Sequence, residues 1–309
     1  MTAKPNLLFL LFLAFFLMGC APAAGEVSTL MPTMIVPITE ETLPAATAPT
    51  VATAEGSAVV PAGPALPSEA AVILVGKGET LNLRAGAGVE NAIVTEVAAN
   101  TTGLFRTGME AFSGEELWAE VRTSTAETGW VNARFLTEYF SPEKFCADPK
   151  IQFLLDDLLI ALQSENAELL ATLVSPAHGL DLRVFYHGTL ANYTSEEATW
   201  VFQSSYDVPW GYEGGSGKEV NGTFSQVPLP LLLEVLGSDY ELHCNDVGVT
   251  SAFAQEPWPP EYENINFYNV FKPGTAEYGG LDWRAWLVGI EYVETKPYLF
   301  AMTHFEWEP

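Results

Sequence analysis

The chain has 309 residues, of which 48% are hydrophobic, and its 13 Lys and Arg against 39 Asp and Glu give a formal net charge of −26. This apolar fraction is large enough for folded cores, so the composition excludes a wholly disordered chain. A surface this acidic repels phosphate, which excludes nucleic acid as a partner. The three cysteines include no C-x-x-C pair, which argues against a zinc cluster and against a disulfide-dense scaffold.

Residues 1–20 have the pattern of a signal peptide. One positive charge at Lys4 precedes an apolar run from Leu7 to Met18, which is too short to cross a bilayer comfortably as a permanent helix. The run ends in Leu17-Met18-Gly19-Cys20, which resembles the lipobox of bacterial lipoproteins. The resemblance implies cleavage before Cys20, lipid on its sulfur and a protein held on the extracytoplasmic face of the cell membrane. The alternative is an ordinary secretory signal with an incidental cysteine.

Residues 21–70 form a segment rich in Pro, Thr, Ala and Val, without Lys or Arg up to Glu69. Such a stretch buries too little apolar surface to offset its ordering entropy, so it is predicted to be a disordered linker. Its prolines favour extended conformations. The linker would either let a folded part reach across the cell envelope or only keep that part clear of the membrane.

Residues 71–140 are predicted to be a small all-β domain. Short β-branched and aromatic runs alternate there with turn signals, at the spacing of a small barrel or sandwich. The runs are Val72–Val75, Leu81–Leu83, Ile93–Val97, Leu104–Arg106, Trp118–Val121 and Gly129–Val131.

The same segment resembles a bacterial SH3 domain. The resemblance rests on the run Leu81–Gly88, on Trp118, on Gly129-Trp130-Val131-Asn132 and on Phe135-Leu136. It implies an SH3-like barrel and a ligand among cell-wall peptides or protein partners, with a mere spacer as the alternative. Trp118 and Trp130 are predicted to lie in the core rather than in a contact surface.

Residues 145–309 are predicted to form an α+β domain, so that the chain as a whole has several domains. Asp148 before Pro149 is a helix start, and the residues from Ile151 to Leu162 keep helical apolar spacing. A second short helix is predicted over Ala167–Val174. From Leu180 onward the pattern favours strands, which end in a hairpin of Trp286–Val293 and Tyr298–Trp307. Helices followed by a curved antiparallel sheet suggest, by analogy, the cone of nuclear-transport-factor-2-like (NTF2-like) folds.

This part also resembles a domain of unknown function found in lipoproteins of Gram-positive and related bacteria. The resemblance rests on Leu173-Val174-Ser175-Pro176, Gly179, Trp210-Gly211, Gly215-Ser216-Gly217, Asn245, Gly280-Leu281-Asp282-Trp283-Arg284, His304 and Trp307. The family implies no established activity. Ser175 stands where the family usually has histidine, and Gly214 where it tends to have aspartate. These departures lower the expectation of catalysis.

Two polar residues are the weak catalytic candidates. Asp282, flanked by Leu281 and Trp283, would have a raised pKa if it were partly buried, whereas a turn aspartate after Gly279-Gly280 is the more ordinary interpretation. His304 on the final strand would be a base or, more often, a residue satisfied by structural hydrogen bonds. The sequence has no metal-binding motif, and we predict neither a metal nor a cofactor.

Aromatic residues of the C-terminal part are the candidates for ligand binding, because aromatic side chains give a large contact area at a small entropic cost. We select Trp210, Tyr212 and Trp283 as binding residues. The wider set adds Trp200, Trp258, Tyr262 and Tyr268. These side chains would either line a pocket or lie in the core.

Cys146 and Cys244 are the only thiols that remain once Cys20 carries lipid. An exported setting permits oxidation, so the two would form a disulfide or remain two buried thiols.

Taken together, these features predict a lipid-anchored, extracytoplasmic binding protein without catalysis, whose partner is peptidoglycan or an envelope protein. The alternative is an envelope hydrolase that acts on cell-wall material through a carboxylate pair in the C-terminal domain. A pocket with aromatic walls would favour binding, and two convergent carboxyl groups would favour the hydrolase.

Overall fold

The computed structural model describes residues 60–61, 69–248 and 256–308. The predicted signal peptide with Cys20 and nearly all of the predicted linker lie outside these residues. The described part is mostly β and contains a curled antiparallel half-barrel sheet. Within the described ranges, no helix is both long and apolar enough to cross a bilayer.

Eight strands from the N-terminal half form the first sheet. Their order is β4-β3-β7-β6-β5-β2-β8, all neighbours are antiparallel, and β1 pairs separately with β5. The strands are β1 Val60–Pro61, β2 Glu69–Val72, β3 Thr80–Arg84, β4 Ile93–Ala98, β5 Leu104–Ser113, β6 Glu116–Arg122, β7 Thr128–Asn132 and β8 Leu136–Glu138.

The strand predictions for this sheet are confirmed except at its start. The first strand was expected over Val72–Val75, but β2 ends at Val72 because Leu74 has a φ of 59°, which does not fit an extended strand. In β3, Leu81 and Leu83 are buried as the alternation predicts. A Cβ at Gly129 of β7 would lie 2.8 Å from the Cβ of Leu83, so only glycine fits there.

Among the described residues, the C-terminal part has five α-helices: α1 Pro142–Cys146, α2 Lys150–Gln163, α3 Ala167–Leu173, α4 Ser195–Ala198 and α5 Pro228–Leu236. The two predicted helices correspond to α2 and α3. The Asp148 carboxylate accepts the backbone N–H of Lys150 at 3.0 Å, which satisfies one free donor at the start of α2.

Helix α5 lies in a region where the sequence pattern favoured strands, and that prediction was wrong. Pro228 and Pro230 are compatible with this helix, because a proline in the first turn removes no helical hydrogen bond. The buried side chains of α5, which are Pro228, Leu229, Leu232, Val235 and Leu236, follow helical spacing from Leu229 onward.

The second sheet has six strands in the order β10-β9-β16-β15-β14-β13, and β11 and β12 form a separate pair. The strands are β9 Leu180–Arg183, β10 Leu190–Tyr193, β11 Val208–Tyr212, β12 Glu219–Gly222, β13 Glu241–Cys244, β14 Asn266–Lys272, β15 Arg284–Val293 and β16 Lys296–Glu306. The predicted terminal hairpin is confirmed as β15 and β16, which are joined by a tight turn at Glu294 and Thr295. Both turn residues have positive φ, as a two-residue hairpin turn requires.

The helices pack on one face of the second sheet. Alternate residues of β15, namely Trp286, Val288, Ile290 and Tyr292, belong to the same buried cluster as the apolar stripe of α2 and the buried side of α5. This cluster is the largest core of the described chain, because the helices and the sheet both contribute to it.

The two sheets contact each other through a small apolar cluster. Ile73, which follows β2, is fully buried with Tyr262, Ile265, Phe300 and Ala301. The side-chain amide of Asn264 donates to the Val72 carbonyl at 2.8 Å. Both sheets therefore lie within one compact unit, Glu55–Pro309.

The predicted pairing of Cys146 with Cys244 is confirmed. The two residues form a disulfide with a Cα–Cα distance of 5.8 Å, across 98 positions of sequence. The bond joins the end of α1 to the end of β13, so it ties the first helix to the edge of the second sheet.

Candidate binding sites

A groove in the first sheet is the first candidate site, and we call it the sheet groove. It has a volume of about 300 Å³. Its lining combines an apolar surface, one cation and two carboxylates: Leu74, Val75, Glu79, Thr80, Leu81, Asn82, Arg84, Val89, Glu116, Trp118, Asn132 and Phe135. The Trp118 side chain is only 3% exposed, and its indole nitrogen has no hydrogen-bond partner among the described residues.

Arg84 is held in position at the sheet groove by the loop that follows β3. One guanidinium nitrogen, Nη1, donates to the carbonyls of Val89 and Asn91, each at 2.8 Å. These bonds use one end of the planar guanidinium, and no carboxylate of the described chain forms an ion pair with it. Glu79 and Glu116 are both exposed. The sheet groove therefore carries separated charges of both signs above an apolar floor.

A second cavity, which we call the aromatic cleft, lies in the C-terminal part and has a volume of about 420 Å³. It is lined by Thr189, Ala191, Asn192, Tyr193, Glu197, Trp200, Val201, Ser204, Tyr206, Val208, Pro209 and Phe224. Trp200 is 44% exposed and Tyr206 is 72% exposed. Phe224 is buried and packs edge-on against Tyr193, with 5.9 Å between the ring centroids.

Helix α4 positions one wall of the aromatic cleft. Thr194 and Glu197 form a capping box, in which the Glu197 carboxylate accepts the backbone N–H of Thr194 at 2.9 Å. The short helix ends at Ala198 and so places Trp200 at the cleft. Burial, together with the charge of Glu197, raises the pKa of Tyr193 to about 12, so its hydroxyl stays protonated at neutral pH.

The three aromatic residues selected from the sequence lie in different places. Trp210 is fully buried and its indole N–H donates to the Gly222 carbonyl at 3.0 Å. Trp283 is buried beside Phe271. Tyr212 is 62% exposed and lines a separate cavity of about 250 Å³. No cavity found in the described chain brings these three side chains together.

The wider aromatic set is also dispersed. Of its members, Trp200 alone lines the aromatic cleft. Tyr262 is buried and its hydroxyl donates to the Asp181 carboxylate, while the Tyr268 hydroxyl donates to the Cys146 carbonyl at 3.2 Å. Tyr193, Tyr206 and Phe224, which complete the cleft, were not selected from the sequence. The sequence feature that could have pointed to them is the high density of aromatic residues between positions 193 and 224.

Asp282 is a half-buried turn residue with a lowered pKa, which agrees with the turn interpretation and not with the raised pKa of a catalytic carboxyl. Its carboxylate accepts the backbone N–H of Thr275 at 2.6 Å and the Thr275 hydroxyl at 2.8 Å. Hydrogen bonds to the ionised form, the backbone one first, lower the pKa of Asp282. The preceding Gly279 and Gly280 have positive φ, as the turn interpretation requires.

His304 is buried and uncharged. The ring nitrogen Nδ1 lies 3.3 Å from the Val184 carbonyl, to which an N–H at that position donates. Burial and the neighbouring charge of Arg284 lower the pKa of His304 to about 4. His304 and Asp282 share no hydrogen bond and no cavity within the described residues.

A buried polar network that the sequence analysis missed surrounds Glu291, which is 2% exposed near the end of β15. Its carboxylate accepts the Ser175 hydroxyl at 2.5 Å and the Thr137 hydroxyl at 3.1 Å. The His178 ring nitrogen Nδ1 lies 2.8 Å from Oε1 of the same carboxylate. The sequence feature that could have indicated this network is the acidic Glu291 inside the otherwise apolar run Gly289–Val293.

The geometry of this network does not match a nucleophile and its base. The Ser175 hydroxyl donates to the carboxylate and not to the imidazole, whose other nitrogen, Nε2, lies 3.0 Å from the Arg134 carbonyl. Both ring nitrogens of His178 therefore lie against oxygen atoms of the chain, and neither is directed at the Ser175 hydroxyl. The arrangement suits a structural network better than a nucleophile with its base.

No group of three or more His, Cys, Asp or Glu side chains with the spacing of a metal site occurs within residues 69–248 and 256–308. Comparison of the chain with known protein families, curated proteins and solved structures found no match. The function is therefore inferred from the geometry of the sheet groove and the aromatic cleft and from the sequence motifs.

Proposed function

We propose that this chain is a lipoprotein anchored through Cys20 on the extracytoplasmic face of the cell membrane, where it binds cell-wall peptides without catalysis. In this proposal the first sheet is an SH3-like domain and the sheet groove is its ligand site. The observation that carries the proposal is the lining of this groove, where Arg84, Glu79 and Glu116 surround an apolar floor. The anchor rests on the motif Leu17–Cys20.

A short peptide with a free carboxylate and free ammonium groups is complementary to the charges of the sheet groove. Its carboxylate would accept hydrogen bonds from the free end of Arg84, and its ammonium groups would pair with Glu79 and Glu116. Hydrogen bonds between charged partners are roughly twice as strong as those between neutral ones. Val89, which is 70% exposed, and the half-buried Phe135 offer apolar surface to the side chains between the charged ends. The net charge of −26 also attracts peptides that carry free amines.

The disulfide supports an exported location. Disulfides persist in oxidising compartments outside the cytoplasm and are rare inside it. The bond between Cys146 and Cys244 leaves Cys20 as the one remaining cysteine of the chain, available for lipid. In the same proposal, the second sheet and the helices packed on one of its faces correspond to the cone of NTF2-like folds.

Binding is better supported than hydrolysis. The aromatic cleft contains one carboxylate, Glu197, whereas a glycosidase needs two that converge on its substrate. The Asp282 carboxylate is bonded to Thr275, and His304 is buried and uncharged at neutral pH. Neither residue is placed to act as an acid or base on a bound substrate.

Glu116→Gln tests the sheet groove, with Glu115→Gln as the matched control. Both residues are exposed and adjacent in sequence, but only Glu116 lines the groove. The full chain should bind soluble cell-wall peptides saturably. Glu116→Gln should weaken this binding by up to about tenfold, the loss of one charge-assisted contact, while Glu115→Gln should leave it unchanged. Equal affinity in the two variants, or no binding by the full chain, would count against the proposal.

A further inference from the structure

The aromatic cleft has no role in peptide binding at the sheet groove. It is the larger of the two cavities, and its rim exposes Trp200 and Tyr206 although aromatic surface is costly to leave in water. We propose that the aromatic cleft is a second binding site, which takes an uncharged carbohydrate of a few linked pyranose units.

The aromatic walls fit the apolar face of a sugar ring. A pyranose presents a flat array of C–H groups on one face, which packs on an aromatic ring without leaving a polar atom unpaired. Trp200 and Tyr206 supply such rings at the open side of the cleft, and the buried Phe224 supports Tyr193 from below. Their rigid side chains offer large contact areas at a small cost in conformational entropy.

The polar groups of the aromatic cleft fit the hydroxyl groups of a sugar. The Ser204 oxygen accepts the backbone N–H of Tyr206 at 3.2 Å, which leaves its own O–H to donate. Glu197 uses Oε2 for Thr194, and its Oε1 has no hydrogen-bond partner among the described residues. A sugar hydroxyl can donate to one group and accept from another. A purely apolar ligand would leave these groups desolvated and unpaired, at a cost of about 1–3 kcal/mol each.

Charge and size narrow the class of ligand further. Glu197 is the only acidic residue in the lining and no Lys, Arg or His lines the cleft, so nothing there compensates a phosphate or a carboxylate. The net charge of the chain also repels anions. A volume of about 420 Å³ lies within the usual range of small-molecule sites, about 300–1,000 Å³. The site therefore favours an uncharged glycan over a phosphorylated or acidic one.

Trp200→Ala tests the proposal, with Trp307→Ala as the matched control. The two tryptophans are similarly exposed, at 44% and 40%, but Trp307 lies outside the aromatic cleft. The full chain, in a detergent without a sugar headgroup, is titrated with a chitin tetrasaccharide, with a maltotetraose and with a proline-rich peptide, and binding is followed calorimetrically. Thermal unfolding of each variant is measured alongside, because an unfolded variant would also fail to bind.

We expect saturable binding of at least one oligosaccharide by the full chain and by Trp307→Ala, and at least tenfold weaker binding by a folded Trp200→Ala variant. Tyr206→Phe, which removes only a hydroxyl, should retain more affinity than Tyr206→Ala. Binding of the peptide alone, equal affinity in the two tryptophan variants, or no binding of either sugar at millimolar concentration would overturn the proposal. Glu116→Gln should bind the sugar normally, which separates this site from the sheet groove.

Discussion

The ring nitrogen Nδ1 of His178 lies 2.8 Å from Oε1 of Glu291, and both side chains are nearly fully buried, at 5% and 2% exposed. The contact connects the loop after α3 with the last part of β15. Thr137 of the first sheet donates to the same carboxylate, and the carbonyl of Arg134 faces the other side of the imidazole. One carboxylate thus bonds polar groups from both sheets, in addition to the apolar contact around Ile73.

Glu291→Gln should destabilise the fold. The amide keeps one acceptor oxygen but turns an NH₂ group toward side chains that themselves donate, so at least one buried donor loses its partner. Removing one member of a buried pair costs about 3–5 kcal/mol. Urea denaturation should show a loss of that order. Glu294→Gln, in the exposed turn of the same hairpin, should change the free energy of unfolding by less than about 0.5 kcal/mol. Equal stabilities of the two variants would refute this role for Glu291.

Reduction of the disulfide should weaken the fold without changing the groove or the cleft. The bond closes a loop of about a hundred residues, for which the chain-entropy model gives up to about 4.7 kcal/mol. The double variant Cys146→Ser, Cys244→Ser should lose several kcal/mol in urea denaturation relative to the oxidised chain. Two titratable thiols at these positions in the native exported protein, with unchanged gel mobility on reduction, would show that the bond does not form.

His304 should make the protein less stable in acid. Its pKa is about 4 in the folded state against 6.5 for a free histidine, so between these values the unfolded chain binds a proton that the folded chain does not. The contribution of His304 to the free energy of unfolding is fully present above pH 6.5. It falls by about 3 kcal/mol as the pH drops to 4.

His304→Gln isolates this effect. The comparison with the wild type is needed because burial raises the pKa of Glu306, which gives that carboxyl the opposite pH dependence. The difference in unfolding free energy between wild type and His304→Gln should shrink by about 3 kcal/mol from pH 7 to pH 4. A difference that stays constant over this range would mean that His304 has the same pKa in the folded and the unfolded chain.

Cys20→Ser should release the protein from its anchor. Lipid chains contribute about 0.8 kcal/mol for each buried methylene, so losing them removes stable membrane attachment. In cells given a labelled fatty acid, the wild type should incorporate label and sediment with membranes, and Cys20→Ser should incorporate none. The variant lacking Cys146 and Cys244 serves as the control and should still be labelled. Label in Cys20→Ser would contradict the anchor.

Local patterns predicted the regular elements well. The alternation of Leu81 and Leu83 and the spacing from Ile151 to Leu162 depend on near neighbours in the chain, and the structure contains the corresponding strand and helix. Helix α5 was missed because its two prolines and nearly continuous apolar run resemble a strand bounded by turns. A strand and a helix over this apolar run differ only in which of its residues become buried. Which residues become buried depends on tertiary packing.

The candidate sites were less predictable, because their residues come from distant parts of the chain. Glu291 contacts Ser175 and Thr137 across 116 and 154 positions of sequence, and no local pattern records such a contact. Trp210 and Trp200 were both candidate binding residues, yet Trp210 is fully buried and Trp200 is 44% exposed. Only the fold decides which aromatic residue lines a cavity.

The most direct test of the central claim is the indole N–H resonance of Trp118 in the ¹⁵N-labelled full chain during a titration with soluble cell-wall peptide. Trp118 lines the sheet groove, whereas Trp210 is fully buried in the C-terminal core and serves as the internal reference. Binding at the groove should shift the Trp118 resonance saturably and leave that of Trp210 in place. A Trp118 resonance that stays fixed at peptide concentrations high enough to saturate binding would contradict the assignment of the groove as the ligand site.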